Sequence, residues 1–171
     1  MNKPEISLRP IEFQDAQLVL DWENNVEGWN MEEKEQPYSI FDILSMILEM
    51  EDVPACKQIR YMIYLNATQE VIGAADLTDI DFEAHTAGVG ILIADTRFRQ
   101  KGYASQALLQ LEEKARSWGL KKLKSSVLED NAISLHLFEK MAYEKLADSE
   151  EGYVVEGVYI KAIVFEKWLN A

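Results

Sequence analysis

The chain has 171 residues, 48% of them apolar, and a net charge of −13. Length and apolar share fit one globular domain over residues 1–171. The charge argues against a nucleic-acid groove, whose affinity rests on many Lys and Arg contacts to phosphate. Cys56 is the lone cysteine, which excludes an internal disulfide, and two histidines beside it make a poor metal set, so no metal is expected. Cys56 is not expected to act as a nucleophile. No apolar run approaches the roughly 18 residues that span a bilayer, and the opening residues lack a signal pattern. The expectation is a soluble, cytoplasmic protein with no membrane partner.

In chain order, Glu5 to Ile11 reads as a first strand, and Leu18, Val19 and Trp22 give a helical face beginning near Asp15. Ser39 and Asp42 have the spacing of a capping box, ahead of a helix whose Ile40, Ile43, Leu44, Ile47 and Leu48 fall on one side. Gln58 to Asn66 and Glu70 to Thr78 read as a hairpin turning around residues 66–69, and Gly88 to Ile93 as an apolar strand. A helix then carries Ala104, Ala107, Leu108, Leu111, Ala115 and Trp118 at helical spacing, with Gly119 as its stop. Leu123 to Leu128 forms another strand, a short helix capped by Asp130 or Asn131 follows, and Ala142 to Leu146 and Tyr159 to Phe165 can pair as closing strands. This order suits an α/β domain with a mixed sheet. Gly88-Val89-Gly90 is no dinucleotide fingerprint, because its glycines precede the strand and Ile93 stands where the third would fall.

Between apolar strand and helix lies Arg99-Gln100-Lys101-Gly102-Tyr103-Ala104. A helix start offers unpaired N–H groups and the positive end of its dipole, and Gly102 lets an anion approach the backbone where a Cβ would obstruct it. Arg99 and Lys101 add mobile positive charge. The other reading of this turn is structural, with glycine relieving strain and the cations solvated.

Together with Asn131, Ser134, Phe138, Glu139, Lys140, Met141 and Tyr143 one strand later, this loop resembles the GCN5-related N-acetyltransferases, the GNAT superfamily. Leu8-Arg9-Pro10, Asp15-Ala16 and Trp22-Glu23-Asn24-Asn25 resemble the opening of its spermidine-acetyltransferase and ribosomal-protein-acetyltransferase branch. The resemblance implies one domain with a mixed, mostly antiparallel central sheet flanked by helices. It further implies acetyl-CoA as acyl donor, with pyrophosphate at Arg99, Gln100, Lys101, Gly102, Tyr103, Ala104 and Ser105. Pantetheine would pair with a splayed strand at Ile91, Leu92 and Ile93, which also offers an N–H to the oxyanion, and Asn131 and Phe138 would flank the thiol end.

Two positions depart from the family pattern. Phe138 stands where many members carry a Tyr that protonates the thiolate, which leaves Ser134, four residues earlier on the same helical face, as the polar group beside the thiol or as a simple helix-start serine. His136 lies two residues from Phe138, roughly on the other side. Gly88 stands where relatives often place a Glu, and Asp76 on the preceding strand is the best substitute as base or amine anchor, the alternative being a strand-end or surface acid. A carboxylate among small strand residues is costly to bury unpaired, so a polar cleft is expected beside it. Asp79, Asp81 and Glu83 are read as a solvated turn.

These observations favour transfer of an acetyl group to a primary amine, with a small-molecule amine as partner and assembly as a homodimer left open. From Glu12 to Asp52 twelve acidic residues face one basic residue, Lys34, which places −11 of the −13 there. In the resembling family this region borders the acceptor cleft. A polyamine or diamine is therefore favoured, with Glu23, Glu27, Glu32, Glu33 and Glu35 as candidate anchors; the alternative is a solvated acidic face. Acetylation of a protein N-terminus or an aminoglycoside, or acyl-CoA sensing with little catalysis, are the competing functions.

Overall fold

A computed structural model describes residues 3–25, 36–147 and 149–170. Its strands are β1 (Ile6–Pro10), β2 (Ile59–Leu65), β3 (Val71–Asp81), β4 (Thr86–Ile93), β5 (Lys122–Leu128), β6 (Glu144–Lys145), β7 (Gly152–Val155) and β8 (Val158–Trp168). Its helices are α1 (Ala16–Asn25), α2 (Ile40–Glu49), α3 (Val53–Cys56), α4 (Tyr103–Ser117) and α5 (Ala132–Lys140). The strands run β1-β2-β3-β4-β5-β8-β6 across an open sheet, with β7 paired to β8. Among the described residues only β4 and β5 pair in parallel, so the sheet is mixed and mostly antiparallel, as expected.

Side chains alternate across the strands, and this divides the core between two faces. On one face Met62, Ala74 and Leu92 meet Val19 and Trp22 of α1 and Ile43 and Ile47 of α2. On the other, Ile63, Ala75, Leu77, Val89 and Ile93 meet Ala107, Leu108, Leu111 and Ala115 of α4 and Phe138 of α5. Two glutamines hold α4 to the sheet edge: Gln110 donates to the Ile6 carbonyl at 2.8 Å, and Gln106 accepts from the Glu5 N–H at 2.8 Å.

The capping box before α2 is present, with Ser39 accepting from the Asp42 N–H and Asp42 from the Ser39 N–H. Leu48 leaves the expected apolar face and stands 57% exposed. Asn131, not Asp130, caps α5, accepting from the Ser134 N–H at 3.2 Å. The short helix α3 and the strand β7 were not foreseen, and a 3₁₀ turn over Phe13–Asp15 precedes α1. Among the described residues no helix is long and apolar enough to cross a membrane.

Candidate active site

The site begins where two parallel strands part. The ladder between β4 and β5 ends at Gly88 opposite Lys124, while Val89 to Ile93 stay paired with β3 alone and β5 continues beside β8 to Leu128. The Ala94 N–H donates to the Ile72 carbonyl at 2.9 Å. Antiparallel pairs alternate in hydrogen bonding, so Val89, Ile91 and Ile93 turn their peptide groups away from β3 and toward the gap. The Ile93 carbonyl accordingly accepts from Arg99 Nε at 2.8 Å. This is the splayed strand expected at Ile91, Leu92 and Ile93; Leu92 itself faces β3 with its peptide and α1 and α2 with its side chain.

At the carboxyl end of β4 the chain makes a 3₁₀ turn, Thr96–Phe98, capped by Asp95. Arg97 pairs there with Asp95 and Glu70. Gln100 at φ 58° and Gly102 at φ 81° wind the backbone into the first turn of α4. Gly102 provides no side-chain cap, and the N–H groups of Tyr103, Ala104 and Ser105 precede the first helical bond, from the Gln106 N–H to the Gly102 carbonyl at 3.2 Å. A Cβ built on Gly102 meets nothing within 4 Å, so the approach to these donors is open. Lys101 is exposed beside them. Arg99 is less mobile than the sequence suggests, because its Nε is tied to Ile93.

The amino end of α5 lies at the same edge, since β5 runs parallel to β4 and delivers the chain into Asn131. Asn131 spends its Oδ1 on the cap. Ser134 is half-buried and His136 exposed. Phe138 is 4% exposed and its ring belongs to the core, edge-on to Tyr143 at 5.1 Å and stacked on Phe165 at 5.6 Å. The expected flanking role of Phe138 at the thiol is thus confined to the sliver of ring the core leaves uncovered.

The opposite face of the sheet carries the charge. Asp76 does not stand alone in a cleft. Arg60, directly across on β2, donates from Nε and Nη2 to its two oxygens at 2.9 and 2.8 Å, and from Nη1 to Glu23 of α1 at 3.0 Å. Glu23 is 6% exposed and Asp76 25%, so one buried cation joins two carboxylates of unequal access. Burial alone would lower the Arg60 pKa, but the charge and hydrogen bonds of Asp76 and then Glu23 outweigh it and hold it above the ordinary value. Asp76 also pairs across to Gly90 on β4, in the stretch where β4 has left β5. Glu27, Glu32, Glu33 and Glu35 lie outside the described residues.

Sequence reasoning missed Arg60 and placed Glu23 only as a candidate anchor. A single Arg within the apolar run Ile59 to Leu65 is the signal that was present. Other acids of the acidic stretch are also occupied: Asp15 accepts from Arg9 at 2.7 Å, and Asp42 and Asp52 cap helices.

Residues 5–144 match the family described as acetyltransferase (GNAT) domain. No protein of curated function matches the chain by sequence. Among solved structures, a spermidine N-acetyltransferase from Vibrio cholerae in complex with CoA and spermine superimposes with a TM-score of 0.82 at 20% identity, over 98% of this chain and 97% of that one. A dodecameric form of the Vibrio cholerae spermidine N-acetyltransferase gives a TM-score of 0.79 at 20% identity, over 98% and 95% of the two chains.

Proposed function

The chain belongs to the acetyltransferase (GNAT) family, an acyltransferase taking its acetyl group from acetyl-CoA, and from that premise we propose that its acceptor is an aliphatic polyamine or diamine. The observation that carries the acceptor class is the Arg60 cluster. Among the described residues two carboxylates surround one cation on this sheet face, and Asp76, the more open of the two, pairs across to Gly90 where β4 has left β5. The spermine-bound relative of the same fold supports the choice.

In this reading the donors at the start of α4 hold the pyrophosphate, with Lys101 and Arg99 beside them. The peptide groups of Ile91 and Ile93 hold the donor's amides and carbonyl in the gap. Bound acetyl-CoA supplies a reactive thioester at this point. Both Asp76 oxygens already accept from Arg60, and each keeps a further lone pair, so Asp76 anchors the incoming ammonium while water takes its proton. Ser134 is the hydroxyl beside the departing sulfur. The same engagement of Asp76, together with a phenylalanine at 138, favours a slow enzyme and keeps acyl-CoA sensing as the second reading. The proposal includes a cytoplasmic setting, where a lone thiol such as Cys56 stays reduced, and assembly of more than one copy.

A thiol-release screen with acetyl-CoA against polyamines, aminoglycosides and peptide N-termini tests the assignment. Polyamines are expected to turn over best, with a KM that rises with ionic strength as screening weakens the attraction. Turnover confined to peptides or aminoglycosides would overturn the acceptor class. CoA binding without turnover of any amine would favour the sensor.

A further inference from the structure

Resting on the polyamine reading, we infer that Glu151, held against β5 by Ser126, receives a second ammonium of the acceptor on the far wall of the gap, and so sets a preference for a diamine or polyamine over a monoamine. The strand registers place this pair. Thr78 faces Gly88 and Gly88 faces Lys124, so two residues further toward the open end Asp76, Gly90 and Ser126 stand in one row on one face of the sheet, with the gap between Gly90 and Ser126. Leu123 and Val127 turn to the opposite face, into the core that holds α4.

Glu151 comes to Ser126 from the far side of β8. The Lys161 carbonyl turns toward β5 and accepts from the Glu129 N–H at 2.9 Å, so Ala162, next along β8, turns its peptide the other way and donates to the Glu151 carbonyl at 2.9 Å. Since Ser126 pairs with Val164, the Glu151 side chain crosses β8 to accept from the Ser126 hydroxyl at 2.5 Å. Glu151 is exposed and Ser126 half-buried.

Charge distinguishes Glu151 from other carboxylates on this face. Asp76 and Glu23 share Arg60, and Glu166 meets Lys122 at 3.5 Å. Among the described residues Glu151 has no cation, and its side chain has no hydrogen-bond partner besides Ser126. A serine hydroxyl fixes a carboxylate without neutralising it and leaves its second oxygen free to accept. Lys124, two residues before Ser126 on the same face and roughly 7 Å away along the strand, repels an ammonium from the closed end of the gap.

The separation suits a chain with more than one nitrogen. Neighbouring strands are about 4.8 Å apart, so the backbones at Asp76 and Ser126, with β4 between them and β5 parted from it, are at least ~10 Å apart. One ammonium does not bridge that distance, and two on a single chain do. With single bonds of about 1.5 Å and angles of about 111°, an extended alkylamine advances about 1.25 Å per bond, which puts the end nitrogens of spermidine about 11 Å apart. One nitrogen then lies over the gap, where the thioester is attacked, and another meets the free oxygen of Glu151.

Titration calorimetry of the CoA-saturated protein with spermidine and with heptylamine, which has a single nitrogen, tests the assignment without requiring turnover. Glu151→Gln keeps an acceptor for Ser126 and removes the charge; it is expected to weaken spermidine about 5-fold, the upper range for an exposed ion pair, and to leave heptylamine unchanged. Ser126→Ala, which frees the carboxylate to move, should weaken spermidine by about 2-fold. Glu150→Gln removes the same charge one residue away and should change spermidine by less than about 1.5-fold, because a charge set apart from the ligand is screened. CoA affinity and thermal melts should hold constant in all three variants. Unchanged spermidine affinity in Glu151→Gln, an equal loss in Glu150→Gln, or a parallel loss for heptylamine overturns the role of Glu151 alone. Absence of spermidine binding to the wild-type protein overturns that role and the polyamine reading together.

Discussion

Arg60 and Asp76 stand opposite each other on β2 and β3 and share two hydrogen bonds, while the far end of the same guanidinium reaches Glu23 on α1. The cluster ties α1 to the sheet and fixes the Asp76 carboxylate on the sheet face that carries α1 and α2. Removing one partner of a buried ion pair leaves the others uncompensated, at about 3–5 kcal/mol. Arg60→Met, which deprives both carboxylates of this cation, should approach that loss in urea unfolding. Asp76→Asn should lose less, because Asp76 is partly solvated and Glu23 still meets Arg60. Equal losses would mean that Glu23 draws little from Arg60.

That cluster shows where sequence reasoning ended. The hairpin from Gln58 to Thr78 and its turn were legible from alternation and turn residues, and so were α4, the glycine loop and α5. The pairing within the hairpin was not. A bulge shifts the register between Ile63 and Tyr64, so that Ile63 faces Gly73 while Tyr64 faces Val71. Counted back from the turn without that extra residue, Arg60 would face Ala75, and Asp76 would show its side chain to the opposite face from Arg60. The loop chemistry was readable because it is local in sequence. The charge chemistry depends on three elements meeting. Phe138 sits between these cases: its place in the helix was legible, but its burial depended on Phe165, some 27 residues on, stacking against it.

A second expectation concerns the end of α5. Tyr143 donates its N–H to the Phe138 carbonyl at 2.9 Å and Ala142 to Glu139 at 3.1 Å, with the Phe138 and Tyr143 rings in contact, the pattern of a Schellman motif. Ala142 therefore sits at φ 64°, where a Cβ is strained by roughly 1–2 kcal/mol. Glycine relieves that strain but gives back part of it through the looser unfolded chain, about 0.4–1 kcal/mol. Ala142→Gly should stabilise by a net ~0.5–1 kcal/mol in chemical denaturation. A loss of stability would show that the strain is absent.

The Asp42 carboxylate supplies a pH dependence. Its hydrogen bonds from the Ser39 backbone N–H and then the Ser39 hydroxyl hold its pKa below the ordinary 3.8. A group depressed on folding adds stability that is present above its unfolded value and is lost as pH falls through its folded value. Asp42→Ala should lower the Tm at neutral pH, and the difference from the wild type should shrink below about pH 4. A difference that stays constant to pH 2 would mean the cap works through packing.

At the start of α4, Gly102→Val places a β-branched residue at φ 81°, which the loop must rearrange to accommodate. Acetyl-CoA affinity, measured by calorimetry, should fall by at least about 10-fold as the donors lose alignment. Arg99→Ala should have a smaller effect in two parts. Its charge contribution should vanish at high salt, and the part due to the lost tie to Ile93 should persist. Unchanged binding in Gly102→Val would remove the pyrophosphate from this loop.

The last expectation separates the groups on α5. Ser134 lies one turn before Phe138 on the same helical side, half-buried at the helix start, whereas His136 is exposed. If the Ser134 hydroxyl assists departure of the sulfur, Ser134→Ala should lower kcat with little change in either KM, the signature of an interaction made mainly in the transition state. The loss should be modest, about 10-fold, because a thiol of pKa near 8.5 leaves fairly well unaided. His136→Ala should change neither parameter. Phe138→Tyr asks whether the missing phenol can be restored: its ring keeps the packing against Tyr143 and Phe165, and a hydroxyl that reaches the gap should raise kcat. A hydroxyl trapped in the core would instead cost about 1–3 kcal/mol of stability with no gain in rate, so kcat and Tm measured together tell the outcomes apart. A collapse of kcat in His136→Ala with folding intact would transfer the role from Ser134 to His136.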